Sequence, residues 1–274
     1  MRLSLNKLGL ALILLFVALV ASAQGATNIK VSYLYHFFTV RGYEVERPMI
    51  LIADISCSKF YNPMTNWIDS LNSTPEGRAK YKASQPKMIS SKDIAKIPNR
   101  WEKMYVYKDR KNNVLKRYDT IAAERYYYEE PLSQIEWVIT DSIKGVLNYE
   151  CVMAQADFHG RLWTVWFVPD IPLSDGPWKL EGLPGLILEA SDSTGQYSFS
   201  ATGIEAGCGE VPPVYEEYLY ENMSRKELLK HKRFFDENMG TIITAQTPVQ
   251  GLRPSQLKSL ELKADLDYLE TDYR

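Results

Sequence analysis

Apolar and polar residues alternate along most of this chain. In the segment 29–38, Ile29, Val31, Tyr33, Tyr35 and Phe37 share one face, and Lys30, Ser32 and His36 lie on the other. That two-residue period predicts a strand with one buried face. Residues 49–55 form a continuous apolar run of strand length, entered through Arg47 and Pro48. Residues 102–107 and 114–118 read as a hairpin around the polar turn 108–113. Further strands are predicted at 134–140, 146–158, 161–168, 185–190 and 196–204, with turns at 141–145, His159-Gly160 and 191–195. Strands joined by turns this short must be antiparallel neighbours, because a parallel pair needs a long crossover. The expected fold class is therefore mainly β, a β-rich α+β chain built on an antiparallel meander with one or two helices.

Helical signals are fewer. Residues 61–100 contain Pro63, Pro75, Pro86 and Pro98 with weak periodicity, which predicts an irregular insertion with short helical pieces. Ser224 and Glu227 have capping-box spacing, and Gly240 is a natural stop for the helix they open. Leu228, Leu229, Phe235 and Met239 give that helix an apolar stripe, with Lys226, Lys230, Lys232 and Arg233 as its solvated face. Near the end, Leu260, Leu262, Ala264, Leu266 and Tyr268 alternate with charged residues, so a last strand is expected, although leucine, alanine, glutamate and lysine favour helix.

The amino terminus places the protein. Arg2 and Lys7 precede an uncharged apolar run over 8–20, and Ala21-Ser22-Ala23 follows with small residues in A-x-A spacing. This is the layout of a secretory signal peptide over 1–23, cleaved after Ala23. The mature chain, 24–274, is expected to form a single domain in the periplasm or outside the cell, with no transmembrane segment. The 32 Lys and Arg balance 34 Asp and Glu, which excludes a nucleic-acid binder working by phosphate neutralisation. Cys57, Cys151 and Cys208 allow at most one internal disulfide, and their wide spacing fits no zinc motif. Which of them pair stays open.

Catalytic patterns are scarce. The three histidines, His36, His159 and His231, form no H-E-x-x-H, and there is no G-x-S-x-G elbow or phosphate-binding glycine loop. No cofactor, metal or catalytic residue is assigned. Cys151 and His159 lie at opposite ends of one strand, about 26 Å apart if extended, so they cannot act as a pair. His159 reads as a turn residue and His36 as a hydrogen-bonded structural one. The 18 Tyr and 6 Trp are the normal filling of a β core. Adjacent carboxylates such as Glu129-Glu130 do not supply the facing pair that glycoside hydrolysis requires.

The segment 170–188 is distinctive. It carries Pro172, Pro177 and Pro184, and Gly182, Leu183, Pro184, Gly185, Leu186 and Ile187 spell one hexapeptide. With Tyr149-Glu150-Cys151, Ala154, Phe158, Gly160-Arg161, Trp163 and Trp166 upstream, the chain resembles the GLPGLI family of exported envelope proteins of unknown function. The prolines fix φ and cannot donate to a ladder, so the motif is expected to be a rigid loop feeding the next strand. The glycines allow close backbone approach. The pattern also looks like the curved sheets of periplasmic lipoprotein carriers, which implies a half-barrel. Because both faces of 161–168 are largely apolar, one is expected to be covered or to line a cavity.

Arg161, Trp163, Trp166 and Trp178 are the residues expected to contact a ligand there. The leading expectation is non-enzymatic binding of an apolar ligand or partner segment. The alternatives are an assembly subunit of an envelope complex, and an envelope-polymer hydrolase using acids among Asp157, Asp170, Asp175 and Glu181. Asp69-Ser70-Leu71, Asp119-Thr120-Ile121 and Asp141-Ser142-Ile143 resemble acceptors of bacterial O-glycosylation, two of them in expected loops or turns.

Overall fold

The computed structural model describes residues 28–90, 100, 102–132, 135–246 and 254–274. The signal-peptide reading of 1–23 lies outside them. Among the described residues no helix is long and apolar enough to cross a membrane.

Among the described residues twelve strands form one sheet that is not closed. They are β1 (Ile29–Phe38), β2 (Glu44–Ala53), β3 (Cys57–Tyr61), β4 (Tyr105–Asp109), β5 (Val114–Ile121), β6 (Glu124–Pro131), β7 (Val138–Val146), β8 (Tyr149–Phe158), β9 (Arg161–Val168), β10 (Leu186–Asp192), β11 (Tyr197–Ala206) and β12 (Glu221–Asn222). The sheet order is β12-β6-β5-β4-β3-β2-β1-β11-β10-β9-β8-β7. Two antiparallel meanders, β2–β6 and β7–β11, thus meet at β1, and the short β12 joins β6 in parallel. Bulges interrupt the ladders at Ser32/Tyr33, Ile139/Ile143 and Ile187/Glu189, where an unpaired residue bends the strand and increases its twist. The sheet curls enough to bring His159, in the β8–β9 turn, within 3.9 Å of Glu130 on β6.

Register defines an inner face. Val31, Leu51, Phe60, Val106, Arg117 and Tyr128 lie side by side across β1–β6. Tyr35, Phe199, Ala190, Val165 and Ala154 do so across β1 and β8–β11. The main core sits on this face. The outer face of β2–β5 carries a smaller core of Ile52, Tyr61, Tyr105, Tyr118 and Tyr220. Lys59 is buried beside it, 4.6 Å from the Tyr105 ring centre, and burial pushes its ammonium down to about 7.

Among the described residues four helices accompany the sheet: α1 (Pro63–Asn72), α2 (Pro75–Ser90), α3 (Arg225–Gln246) and α4 (Pro254–Ser259). Residues 63–90 are therefore more helical than expected. Pro63 and Pro75 open helices, since a proline in the first turn forfeits only an N–H with no intrahelical partner. Asn62 caps α1 by accepting from the Thr65 amide at 3.0 Å. Ser224 and Glu227 make the reciprocal capping-box bonds on α3, but Gly240 does not end that helix, which continues to Gln246.

Other boundaries differ as well. The expected turn at 141–145 belongs to β7, and the chain reverses instead at Leu147-Asn148, both with positive φ. Strands β3 and β6 went unanticipated. The alternating segment 260–268 is not a strand: it is a tail held by separate bonds, such as Lys263 N–H to Val40 O at 2.8 Å. Alternation alone could not supply a free ladder for it.

The loop 169–185 lies over the inner face. Trp178, Leu180 and Leu183 enter the main core. The Tyr33 hydroxyl donates to the carbonyl of Ile187 at 2.6 Å, and the Trp137 indole donates to that of Glu181 at 2.7 Å. Gly182 has φ +92°, and a Cβ on Gly185 would stand 2.3 Å from the Val168 carbonyl oxygen. Both positions of the motif therefore require glycine.

Candidate ligand-binding site

Where the inner face passes from β1 to β5, neither the loop nor the sheet fills the space completely. A cavity of about 220 Å³ remains. Tyr35 and Phe37 of β1, Tyr197 of β11 and Met104 form its apolar walls, with Leu229 of α3 and Leu269 of the tail opposite. Arg117 and Asp119 of β5, Glu102, Arg41, Lys232 and Asp236 supply the polar lining. The site is thus assembled from the sheet, the carboxy-terminal helix and the tail.

Most of these charges are matched. Arg41 donates to Asp236 at 2.9 Å, and Lys232 donates to Asp119 at 2.9 Å. Burial opposes ionisation of Asp119, but Lys232 and Arg117 outweigh it and hold the carboxyl below its usual range. Glu102 differs: one oxygen accepts the Met104 amide at 3.1 Å, and no cation lies within ion-pair distance among the described residues. Burial, then the Asp119 charge, push its carboxyl up.

Beside the cavity lies a network centred on Glu270 of the tail, which is fully buried. It accepts from Arg117 at 2.6 Å, Tyr128 at 2.9 Å, Arg225 at 2.9 Å and Lys179 at 3.2 Å. Despite burial, Lys179 and Arg117 keep this carboxylate far below its ordinary range. Lys179 also reaches Glu130 at 2.5 Å, and Arg225 reaches Asp272 at 2.6 Å. Burial, then Lys179, push the His159 imidazole down. His159, Glu270 and Asp272 bring donor atoms within 4.8 Å of one another, the spacing of a metal site. Lys179 and Arg225 already occupy these donors and repel a second cation, so the group is an ion-pair network.

A second network lies under the motif loop. Asp175, fully buried, accepts from Lys108 at 2.7 Å and Arg110 at 2.5 Å, and these cations hold it ionised against its burial. Glu181 stands 3.9 Å from Lys108, and burial pushes its carboxyl up.

The residues anticipated as ligand contacts are dispersed. Trp163 and Trp178 pack 5.6 Å apart and are both fully buried in the core. Trp166 points to the opposite face, under Lys144. Arg161 is buried and directs its N–H groups to the Tyr268 carbonyl, Asp192 and Gln196, so it anchors the tail. None of the four lines the cavity. Gly182, Leu183, Pro184, Gly185, Leu186 and Ile187 cover the neighbouring core.

Of the four acids weighed for hydrolysis, Asp157 and Asp170 are exposed, while Asp175 and Glu181 meet at one lysine instead of facing across an open cleft. Cys57, Cys151 and Cys208 are free thiols. The three acceptor-like tripeptides lie on α1, β5 and β7, not in loops, and only Asp141 and Ile143 flank theirs as exposed residues. Tyr35, Glu102 and Tyr197 carried no signal in the chain beyond strand periodicity or a lone acid.

Residues 159–189 match a family model described as a protein of unknown function (Porph_ging). The match is consistent with a GLPGLI-type family. It spans the β8–β9 turn, β9, the motif loop and the entry to β10. No curated protein matches the chain. Two solved structures of PNGF-II are each 16% identical, with a TM-score of 0.48 over 76% of this chain and 33% of theirs. The chain therefore spans about a third of the length of those structures. A domain described as an outer membrane lipoprotein-sorting protein domain, from Vibrio parahaemolyticus, is 7% identical, with a TM-score of 0.24 over 72% of this chain and 93% of that one. No functional assignment follows from likenesses this distant.

Proposed function

We propose that this protein is an exported envelope component that binds a small ligand with an apolar body, without chemical turnover. The carrying observation is the 220 Å³ cavity between the inner face and the carboxy-terminal helix and tail. An apolar protein cavity of about 150 Å³ is large enough for benzene, so this one suits a single ring or a short aliphatic chain. Its aromatic and aliphatic walls are those usual in a binding site, and six charged side chains share the lining.

The test is a native mass spectrum of protein purified from its own envelope, before and after denaturation, followed by ligand-observed NMR with toluene. A small mass lost on denaturation, or toluene contacts that disappear in Leu229→Trp, supports the proposal. A bare protein that does not bind toluene overturns it.

One observation favours an assembly subunit as the second reading. Edge strand β7 exposes Val138, Ile139 and Ile143 by 50–67%, apolar side chains along an edge open to strand addition by a partner. A second polypeptide in the same spectrum, lost in Ile143→Lys, would favour it.

A further inference from the structure

The cavity has a polar end of defined chemistry, and the identity of the group that fits it rests on the proposed ligand binding. The cations at that end are matched: Arg41 by Asp236, Arg117 by Glu270 and Asp119, and Lys232 by Asp119. Three lining groups are left with hydrogen-bonding capacity, the first being the buried Arg117 Nε, which has no partner among the described residues. Glu102 uses one carboxyl oxygen on the Met104 amide, and its other oxygen has no donor among the described residues. The Tyr35 hydroxyl has no hydrogen-bond partner among the described residues either, although its ring is stacked 4.5 Å from Phe37 and 4.6 Å from Phe199. Glu102 and Tyr35 both line the same cavity. A ligand whose polar group engages both is favoured over one that engages neither.

Charge narrows the class of head group. An ammonium would meet Arg117 and Lys232, and a carboxylate would meet Glu102 and Asp119. A hydroxyl carries no charge and has one donor and two acceptor positions, which matches one acceptor and one hydroxyl in the wall. We infer that the cavity recognises an uncharged alcohol on an apolar body, its hydroxyl donating to Glu102 and accepting from Tyr35. The body then lies against Phe37, Tyr197, Met104 and Leu229.

Benzyl alcohol, toluene, benzylamine and benzoate test this on the purified mature protein by NMR titration. Benzyl alcohol should bind at least about tenfold more tightly than toluene, the factor expected of a hydrogen bond to a charged group. Glu102→Ala should abolish that preference. Tyr35→Phe, which removes one oxygen and keeps the ring, should reduce the preference several-fold. A melting curve for each variant confirms folding, and should Glu102→Ala not fold, Tyr35→Phe and the wild-type ranking still decide.

Equal binding of toluene and benzyl alcohol by wild type overturns the alcohol assignment and leaves the cavity reading standing. So does tighter binding of benzylamine or benzoate. Binding of none of the four overturns both.

Discussion

Across β8–β11 the inner face is apolar, with Trp163, Val165, Phe167 and Phe199 packed beneath Trp178, Leu180 and Leu183 of the motif loop. Across β4–β6 the same face carries Lys108, Arg117, Asp119 and Glu130, and the covering segments bring Asp175, Lys179, Glu181 and Glu270 to meet them. One loop therefore covers both halves, with apolar side chains over one and countercharges over the other. The apolar half is stabilised by burial without direction. The charged half is stabilised only while every partner is present, because each ion left alone must be desolvated without compensation. The cavity lies between the two, where neither kind of cover is complete.

The largest expected effect falls on the charged half. Glu270→Ala should cost about 3–5 kcal/mol, because it leaves Lys179 and Arg117 buried without their carboxylate. Urea denaturation checks this, and a loss below about 1 kcal/mol would mean the tail is not held by charge. On the apolar half, Leu186→Ala should cost about 2–5 kcal/mol through lost burial and a residual cavity.

The pH dependence separates the halves further. Glu270 titrates far lower in the folded chain than in the unfolded one, so its contribution is complete above about pH 4.5. It is lost as pH falls toward the folded value, because there the unfolded chain binds more protons. The penalty of Glu270→Ala should therefore shrink steadily between about pH 4.5 and 2, while that of Leu186→Ala does not change. Parallel curves for the two variants would break the comparison.

Smaller effects sharpen it. Gly185→Ala should cost about 1–3 kcal/mol, since its Cβ would meet a backbone carbonyl that cannot turn aside. Leu162→Ser, on the exposed side of β9, should stay within about 0.5 kcal/mol by thermal melting.

The apolar half was largely legible in the chain. Alternation located β1 and β8–β11, and short turns made them antiparallel, because a period of two fixes which side chains share a face. The prolines and glycines of 170–188 marked a shaped loop, and its close approach to Val168 is what the glycine at 185 permits. The charged half was not legible. Period two places Arg117 on the inner face but does not say that Glu270, far along the chain, is its partner. The four residues expected to contact ligand were large or cationic neighbours of the motif, and their size and charge served packing and the tail instead.

By itself, then, the order of residues determined a β-rich chain, its antiparallel neighbours, the capping of α3 and the loop that enters β10. These depend on local periodicity, turn length and backbone freedom, which are properties of adjacent residues. The tertiary structure alone decided that β1 joins two meanders, that the tail is pinned by Arg161 and Glu270, and that Tyr35 and Glu102 share one cavity. Those depend on pairings between distant residues, where the desolvation of each charge selects the one partner close enough to offset it.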